Sequence, residues 1–279
     1  MDLMLAGQRW RLETPRPCDA GERFCHFVVP TAGTPDLQIV FRDSEPLFWP
    51  DAPVFQNGEL RLYRRDGVLW RETGVTTPVG CVAYRNGRVE GYLYPVFRPY
   101  YTSVMQYFSL LGTEYLLYRQ GAWMLHCAFV RLNGKAVLFT GPSGVGKSTQ
   151  AELWARHAGG EIINGDRAAI RCVDGMWMAY GLPYAGSSRI YRNECAEIGA
   201  VVVLGKAEEN RVYRLGGGAA FGALYQQTTI NPWDEAFQRD AADYLQQLIS
   251  TVPVYKLEAT PDQRAVDCLK EELTWNPRA

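Results

Sequence analysis

The sequence predicts an α/β protein with α+β character: a β-rich antiparallel region over residues 1–100, then a domain with a mixed sheet and helices over 101–279. Three observations predict it. Short runs of branched and aromatic residues are separated by the dipeptides Asn57-Gly58, Asp66-Gly67 and Asn86-Gly87, each suited to a type I′ turn in which both central residues need positive φ. A glycine-rich loop, "GPSGVGKS" at Gly141 to Ser148, stands between the strand-like "AVLFT" and the helix-like "KSTQAELWARHA". Finally, Asn133-Gly134 joins "CAFVRL" to "KAVLFT", so the strand entering that loop is expected to pair antiparallel with its immediate predecessor.

Composition bounds the function classes. A chain of 279 residues has room for one large domain or two modest ones, and 47% hydrophobic with 21% charged residues places it among ordinary globular proteins. A net charge of -1, with no basic run, gives no general attraction to nucleic acid or to an anionic membrane, and neither is expected as a partner. The seven cysteines are odd in number and never spaced C-x-x-C, which disfavours a disulfide framework and a zinc site. No basic segment followed by a long apolar run opens the chain, and no apolar stretch is long enough to span a bilayer. The expectation is a cytoplasmic protein with free thiols.

In chain order, "ELRLYRR", "VLWRET", "CVAYR" and "RVEGYLYP" are the strands of an antiparallel meander spanning about 36–96. Val104, Tyr107, Phe108, Leu111, Tyr115 and Tyr118 then recur at helical steps, with Gly121 as a C-terminal cap. That aromatic stripe reads as core packing rather than a ligand platform. The loop helix ends at Gly159-Gly160. Two further helices are expected near 232–250 and 261–273, capped by Asn231 and Thr260 ahead of Pro232 and Pro261, with "VPVYKLE" as a strand between them. No solenoid repeat or low-complexity segment occurs.

The loop fits G-x-x-x-x-G-K-[ST], and chemistry explains the spacing. Backbone N–H groups around Gly141, Ser143, Gly144, Val145 and Gly146 curl about phosphate oxygens, Lys147 reaches the β and γ phosphates, and the Ser148 hydroxyl is a Mg²⁺ ligand. The helix starting at Lys147, Ser148 and Thr149 turns its positive dipole end to the same anion. The strand before and helix after the loop argue against a chance match.

Other nucleotide-protein features are missing. The best apolar run downstream, "IGAVVVLGKAEEN", ends in Leu204-Gly205-Lys206 with no carboxylate for Mg²⁺ and water, and no N-K-x-D or LSGGQ signature is present. The carboxylate nearest in sequence is Asp166 in "EIINGDRAAIRC". Two readings stay open for it: a metal-side or catalytic carboxylate, as phosphoryl transfer requires, or a residue following an Asn164-Gly165 hairpin turn. His126 precedes Gly141 by about one hairpin, which returns it toward the loop. It reads equally as a site residue or as a hydrogen-bonded strand histidine.

These residues resemble the HPr kinase/phosphorylase group, whose P-loop is of the phosphoenolpyruvate-carboxykinase type. In that pattern a strand with His, a hairpin, the loop, a helix and a short strand ending in paired acids follow one another. Here His126, Gly141 to Ser148 and "INGDR" stand at the matching places. The resemblance covers about 122–172, extends loosely to 258, and is nearer to stand-alone homologues such as the serine kinases of lasso and other ribosomally made peptides. It implies an HPr kinase/PEP carboxykinase-like P-loop domain, ATP and Mg²⁺ as cofactors, Lys147, Asp166 and His126 as catalytic residues, and Ser148 and Asp166 as metal ligands. One departure stands out: Gly165 replaces the first acid, the hydroxyl-activating base. Asp166 then covers both roles, or His126 assists, or positioning and charge neutralisation suffice.

The expected function is an ATP-dependent kinase moving the γ-phosphoryl to a hydroxyl, serine of a peptide or small protein or free serine. The β-rich region is then the acceptor-recognition domain, with an exposed strand edge open to an extended peptide. Gly181, Pro183, Gly186, Ser187 and Ser188 form either a substrate-side loop or an ordinary turn region. The alternatives are a catalytically inactive, nucleotide-gated binding protein and, less favoured, an NTP hydrolase. Acceptor identity and the existence of a homo-oligomer stay open.

Overall fold

The computed structural model describes residues 1–46, 52–74, 77–186, 188–273 and 275. It divides into two compact units, Met1–Leu116 and Leu117–Ala279.

The first unit is built on a nine-stranded sheet. Its strands are β1 (Asp2–Leu5), β2 (Gln8–Glu13), β3 (Val28–Val29), β4 (Leu37–Arg42), β5 (Phe55–Asn57), β6 (Leu60–Arg65), β7 (Val68–Thr73), β8 (Gly80–Arg85) and β9 (Arg88–Leu93), in the order β3-β1-β2-β4-β9-β8-β7-β6-β5. From β5 to β9 the expected antiparallel meander is present, although the parts of 36–96 at 47–51 and 75–76 lie outside the described residues. The wholly antiparallel expectation is corrected at β4, which pairs parallel with both β2 and β9. Parallel neighbours need a crossover, and the segment after β2, which includes the short helix α1 (Gly21–Phe24), supplies it. Alternate residues of β2, β4 and β9 are buried, so that one face of the sheet must be covered.

Helix α2 (Val104–Leu111) buries Val104, Tyr107, Phe108, Leu110 and Leu111. Phe108 packs 4.6 Å from Phe24 and 6.2 Å from Trp10, and Tyr107 lies 4.8 Å from Phe41, measured between ring centroids. The aromatic stripe is therefore core. The single helix expected here is two, because Gly112 adopts the left-handed conformation at φ 56° and starts a new direction; α3 (Thr113–Arg119) follows. The division between units falls inside α3 rather than at residue 100, since the stripe on α2 belongs to the first core.

Two buried carboxylates organise this unit. Asp2 receives Arg9 at 3.2 Å and Arg11 at 2.9 Å, and hydrogen bonds from Arg11, then Arg9, bring its pKa down to about 2 against the opposing effect of burial. Glu72 accepts hydrogen bonds from the hydroxyls of Tyr63 (3.0 Å) and Tyr94 (2.9 Å).

The second unit carries β10 (Ala122–Leu132), β11 (Lys135–Thr140), α4 (Lys147–Ala158), β12 (Glu161–Asn164), β13 (Arg167–Val173), β14 (Met176–Gly181), β15 (Cys195–Lys206), β16 (Arg211–Arg214), α5 (Gly217–Tyr225), α6 (Glu235–Thr251), β17 (Val254–Ala259) and α7 (Gln263–Glu272). The sheet runs β11-β10-β13-β14-β15-β17-β16, and β11 also pairs with β15, so β10, β11, β15, β14 and β13 close into a ring. Its strand pairs are antiparallel except β11–β15 and β15–β17. One face packs Phe129, Leu138 and Val201 under α5 and α6; the other packs Phe139, Val202 and Leu257 under α4 and α7.

The C-terminal helices begin later than expected. Asp234 and Asp262, not Asn231 and Thr260, accept the first-turn N–H groups, from Phe237 at 3.1 Å and Arg264 at 3.0 Å. The short aspartate side chains next to each helix are better placed to reach those donors than side chains ahead of the prolines.

Candidate functional site

The loop strand β11 is short, wholly buried beyond Lys135, and paired with β10 through Cys127 opposite Thr140. The expected hairpin is thus present, and His126 lies level with the start of the glycine-rich loop. Thr140 reinforces this by donating its hydroxyl to the His126 carbonyl at 2.8 Å.

Beyond Thr140 the chain makes an open bend. Ser143 and Gly144 are exposed, Val145 and Gly146 half-buried. Gly146 has φ 114°, unfavourable for any residue with a Cβ, and it stands as N-cap of α4. Lys147, Ser148 and Thr149 open that helix. Inward residues Ala151, Leu153 and Trp154 fasten it to the sheet, so the loop is held at a rigid helix start.

Lys147 is only 7% exposed. Its ammonium donates to the carbonyls of Gly141 (2.9 Å) and Pro142 (3.2 Å), bracing the loop from within. Burial pushes its pKa down, opposed by the negative charge of Asp166. An anion bound at the loop would raise it as Asp166 does.

Asp166 occupies a break in a strand. Asn164 pairs with Phe129 and Arg167 with His126 along the same β10, so β12 and β13 are two halves of one line interrupted at Gly165 and Asp166. The hairpin reading of Asn164-Gly165 is therefore corrected. Asn164, fully buried, makes the interruption stable: its side-chain oxygen accepts from Asp166 N (2.8 Å) and Arg167 N (2.9 Å), while its amide donates to the carbonyls of Leu182 (2.8 Å) and Tyr184 (2.9 Å). All four hydrogen-bonding positions of the side chain are used.

The break turns the Asp166 carboxylate toward its neighbours. His126 Nε2 stands 3.5 Å from Oδ1 and Arg167 Nε 3.2 Å from Oδ2. Interaction with His126 first, then the Arg167 charge, holds its pKa below the ordinary aspartate value against the effect of burial. The carboxylate is thus ionised at neutral pH and half-exposed, which suits a hard divalent cation. Among the described residues no group of three or more His, Cys, Asp or Glu forms a cation site. A Mg²⁺ ion held by Asp166 and the Ser148 hydroxyl would complete its shell with phosphate oxygens and water, the usual arrangement at phosphoryl-transfer sites.

The space beside Gly165 is filled. A Cβ on Gly165 would meet the Ser188 Oγ at 2.0 Å and its Cβ at 2.5 Å, and one on Gly186 would meet Asp166 Oδ1 at 3.2 Å. The segment after β14 therefore closes over Gly165 and Asp166, with Arg189 in a left-handed conformation at φ 51°. Of the residues expected in a substrate-side loop, Gly186 and Ser188 lie against the carboxylate segment, Gly181 ends β14, and Ser187 lies outside the described residues.

The sequence reading missed Asn164 as organiser, Arg167 as partner of Asp166, and Ser188 as occupant of the Gly165 space. Arg167 directly follows Asp166 and was legible. The other two act through contacts that spacing does not reveal.

No family model matches the chain, and no curated protein matches it. Among solved structures, the chain is similar to the Hpr(Ser) kinase/phosphatase from Coxiella burnetii, at 15% identity and a TM-score of 0.33, over 55% of this chain and 88% of that one. Among the described residues no helix is long and apolar enough to cross a membrane.

Proposed function

We propose that the chain is an ATP-dependent kinase that transfers the γ-phosphoryl group to a hydroxyl, serine of a peptide or small protein or free serine. One observation carries this reading. Three neighbouring strands bring the end of β11, His126 on β10 and Asp166 ahead of β13 to the same end of the sheet, where the Asp166 charge acts on Lys147.

In this reading Lys147 neutralises charge developing on the β and γ phosphates, and backbone N–H groups of 143–148 orient them. Ser148 and Asp166 hold Mg²⁺, which would bridge phosphate oxygens and screen their charge. His126, beside the carboxylate, contacts the transferred group or the acceptor. With Gly165 in place of an acid, Asp166 is, among the described residues, the carboxylate paired with His126, and it serves both metal binding and proton acceptance. The unit Met1–Leu116 is the proposed acceptor-recognition domain. Its sheet ends at the short strands β3 and β5, where an extended peptide can add.

The test is mass spectrometry of an acceptor library incubated with the protein and Mg-ATP. An acceptor gaining one phosphoryl group supports transfer, and the gain disappears in Lys147→Ala. Tight nucleotide binding with every acceptor unmodified favours the nucleotide-gated binding protein instead, for which the missing acid at Gly165 is the specific motive.

A further inference from the structure

The segment that closes over the carboxylate carries a hydroxyl of its own. Residues 190–192 run against 163–165: the Gly165 N–H donates to the Ile190 carbonyl at 3.4 Å, the Arg192 N–H donates to the Ile163 carbonyl at 3.0 Å, and Asn164 bridges to Tyr191. Ahead of that pairing the chain turns, and the Arg189 N–H donates to the Gly186 carbonyl at 3.4 Å. The turn straddles the site, with Gly186 against Asp166 Oδ1 and Ser188 against Gly165.

A Cβ on Gly165 would meet Ser188 Oγ at 2.0 Å, and one carbon–carbon bond more places that oxygen within about 3.5 Å of the Gly165 Cα. The hydroxyl is thus one residue away from the carboxylate that the kinase reading sets beside the transferred group. Its oxygen accepts from the Ile190 N–H at 3.4 Å, and its hydrogen has no acceptor among the described residues. Ser188 is half-buried, while Gly186 and Arg189 at the two ends of the turn are exposed. Rotation about χ1 carries Oγ to other staggered positions with no change in the backbone.

Arg189 adds an independent observation. A bulky residue at φ 51° is uncommon, and such conformations collect at functional sites. Its guanidinium has no hydrogen bond or ion pair among the described residues. An unengaged guanidinium next to a serine is suited to hold a phosphate through two parallel hydrogen bonds.

We infer that Ser188 is a site of self-phosphorylation: the chain transfers the γ-phosphoryl group of its bound nucleotide to its own Ser188, within one molecule. This rests on the kinase reading above and names one acceptor for it. In the step, Ser188 Oγ forms a bond to the γ-phosphorus as the bond from that phosphorus to the bridging oxygen of the β-phosphate breaks. ADP leaves with the bridging oxygen, and the serine proton passes to Asp166 and on to water. The product sets a phosphate beside Asp166, which repels it, and beside Arg189, which pairs with it.

The experiment is to treat the full chain with a phosphatase, remove the phosphatase, incubate with Mg-ATP and no added acceptor, and map the product by fragment mass spectrometry. The expected result is a single phosphoryl group on Ser188, appearing at a rate that dilution of the protein leaves unchanged. Lys147→Ala and Ser188→Ala both lose it. Mapping on the unaltered chain decides the site, so the outcome does not depend on how well either variant folds. Phosphate on another residue, neighbouring Ser187 included, a rate that falls on dilution, or a gain that survives Lys147→Ala overturns the assignment. An unmodified Ser188 in a chain that binds Mg-ATP by calorimetry also overturns it, and leaves the kinase reading to the acceptor library. If Mg-ATP does not bind, the kinase reading falls and takes this one with it.

Discussion

At the scale of single residues, the site is a balance of charges that can be titrated. Burial lowers the Lys147 pKa and Asp166 raises it. A phosphate ligand favours protonated lysine, so affinity weakens as pH rises through the free-protein pKa, which lies below the ordinary lysine value of about 10.4. Tripolyphosphate affinity measured without metal should therefore fall on the alkaline side. In Asp166→Asn, which removes the raising charge, that fall should begin at lower pH; an unmoved limb would separate the two residues. The same variant should keep most of its nucleotide affinity while Mg²⁺-dependent turnover drops on the order of a hundredfold or more. His126→Ala should lose less, and a steady-state assay with a phosphorylated product ranks the two. Lys147 stood out because the phosphate-loop pattern constrains both residue type and spacing, whereas spacing alone left Asp166 and His126 open between a site role and a structural one.

Elements explain why an acid cannot simply be placed before Asp166. Gly165 sits in the interruption between β12 and β13, and the space for its side chain belongs to Ser188. Gly165→Asp should displace the segment around Ser188 and destabilise the protein by about 1–3 kcal/mol, as overpacking does. Gly165→Asp with Ser188→Gly should recover most of the loss, and the coupling can be read as a double-mutant cycle of thermal midpoints. Additive effects would show that the two residues do not compete for space. At this scale the hairpin at Asn133-Gly134 and the helix after the loop were legible, because turn chemistry and helix starts are local. The strand interruption at Asn164 was not: the dipeptide that signals a hairpin elsewhere is held here by carbonyls from Leu182 and Tyr184, well downstream in sequence. The parallel placement of β4 escaped for the same reason, its partners β2 and β9 lying on either side of it in the chain.

For the molecule as a whole, acid stability gives the clearest expectation. Asp2 ionises with a pKa of about 2 in the folded first unit and about 3.9 when unfolded. A depressed carboxylate contributes stability that is complete above the unfolded value and is lost as pH falls through the folded one. The Asp2 contribution should thus decline between about pH 4 and pH 2. Asp2→Asn should lower stability near neutrality by about 1–3 kcal/mol and flatten that part of the acid profile; denaturant midpoints across the range check it, and an unchanged slope would assign the acid sensitivity elsewhere.

The ring formed by β10, β11, β15, β14 and β13 carries the glycine-rich loop at the end of one of its members. In a closed circuit each of these strands has a neighbour on both flanks, so their amide protons have no fraying border from which to escape. In deuterium exchange they should be the last to take up label, leaving the loop at 141–146, which has no such partners, as the earliest segment between two slow ones. Nucleotide would then be met by a soft rim set in an unyielding hoop, and the change in labelling on binding should be confined to that rim.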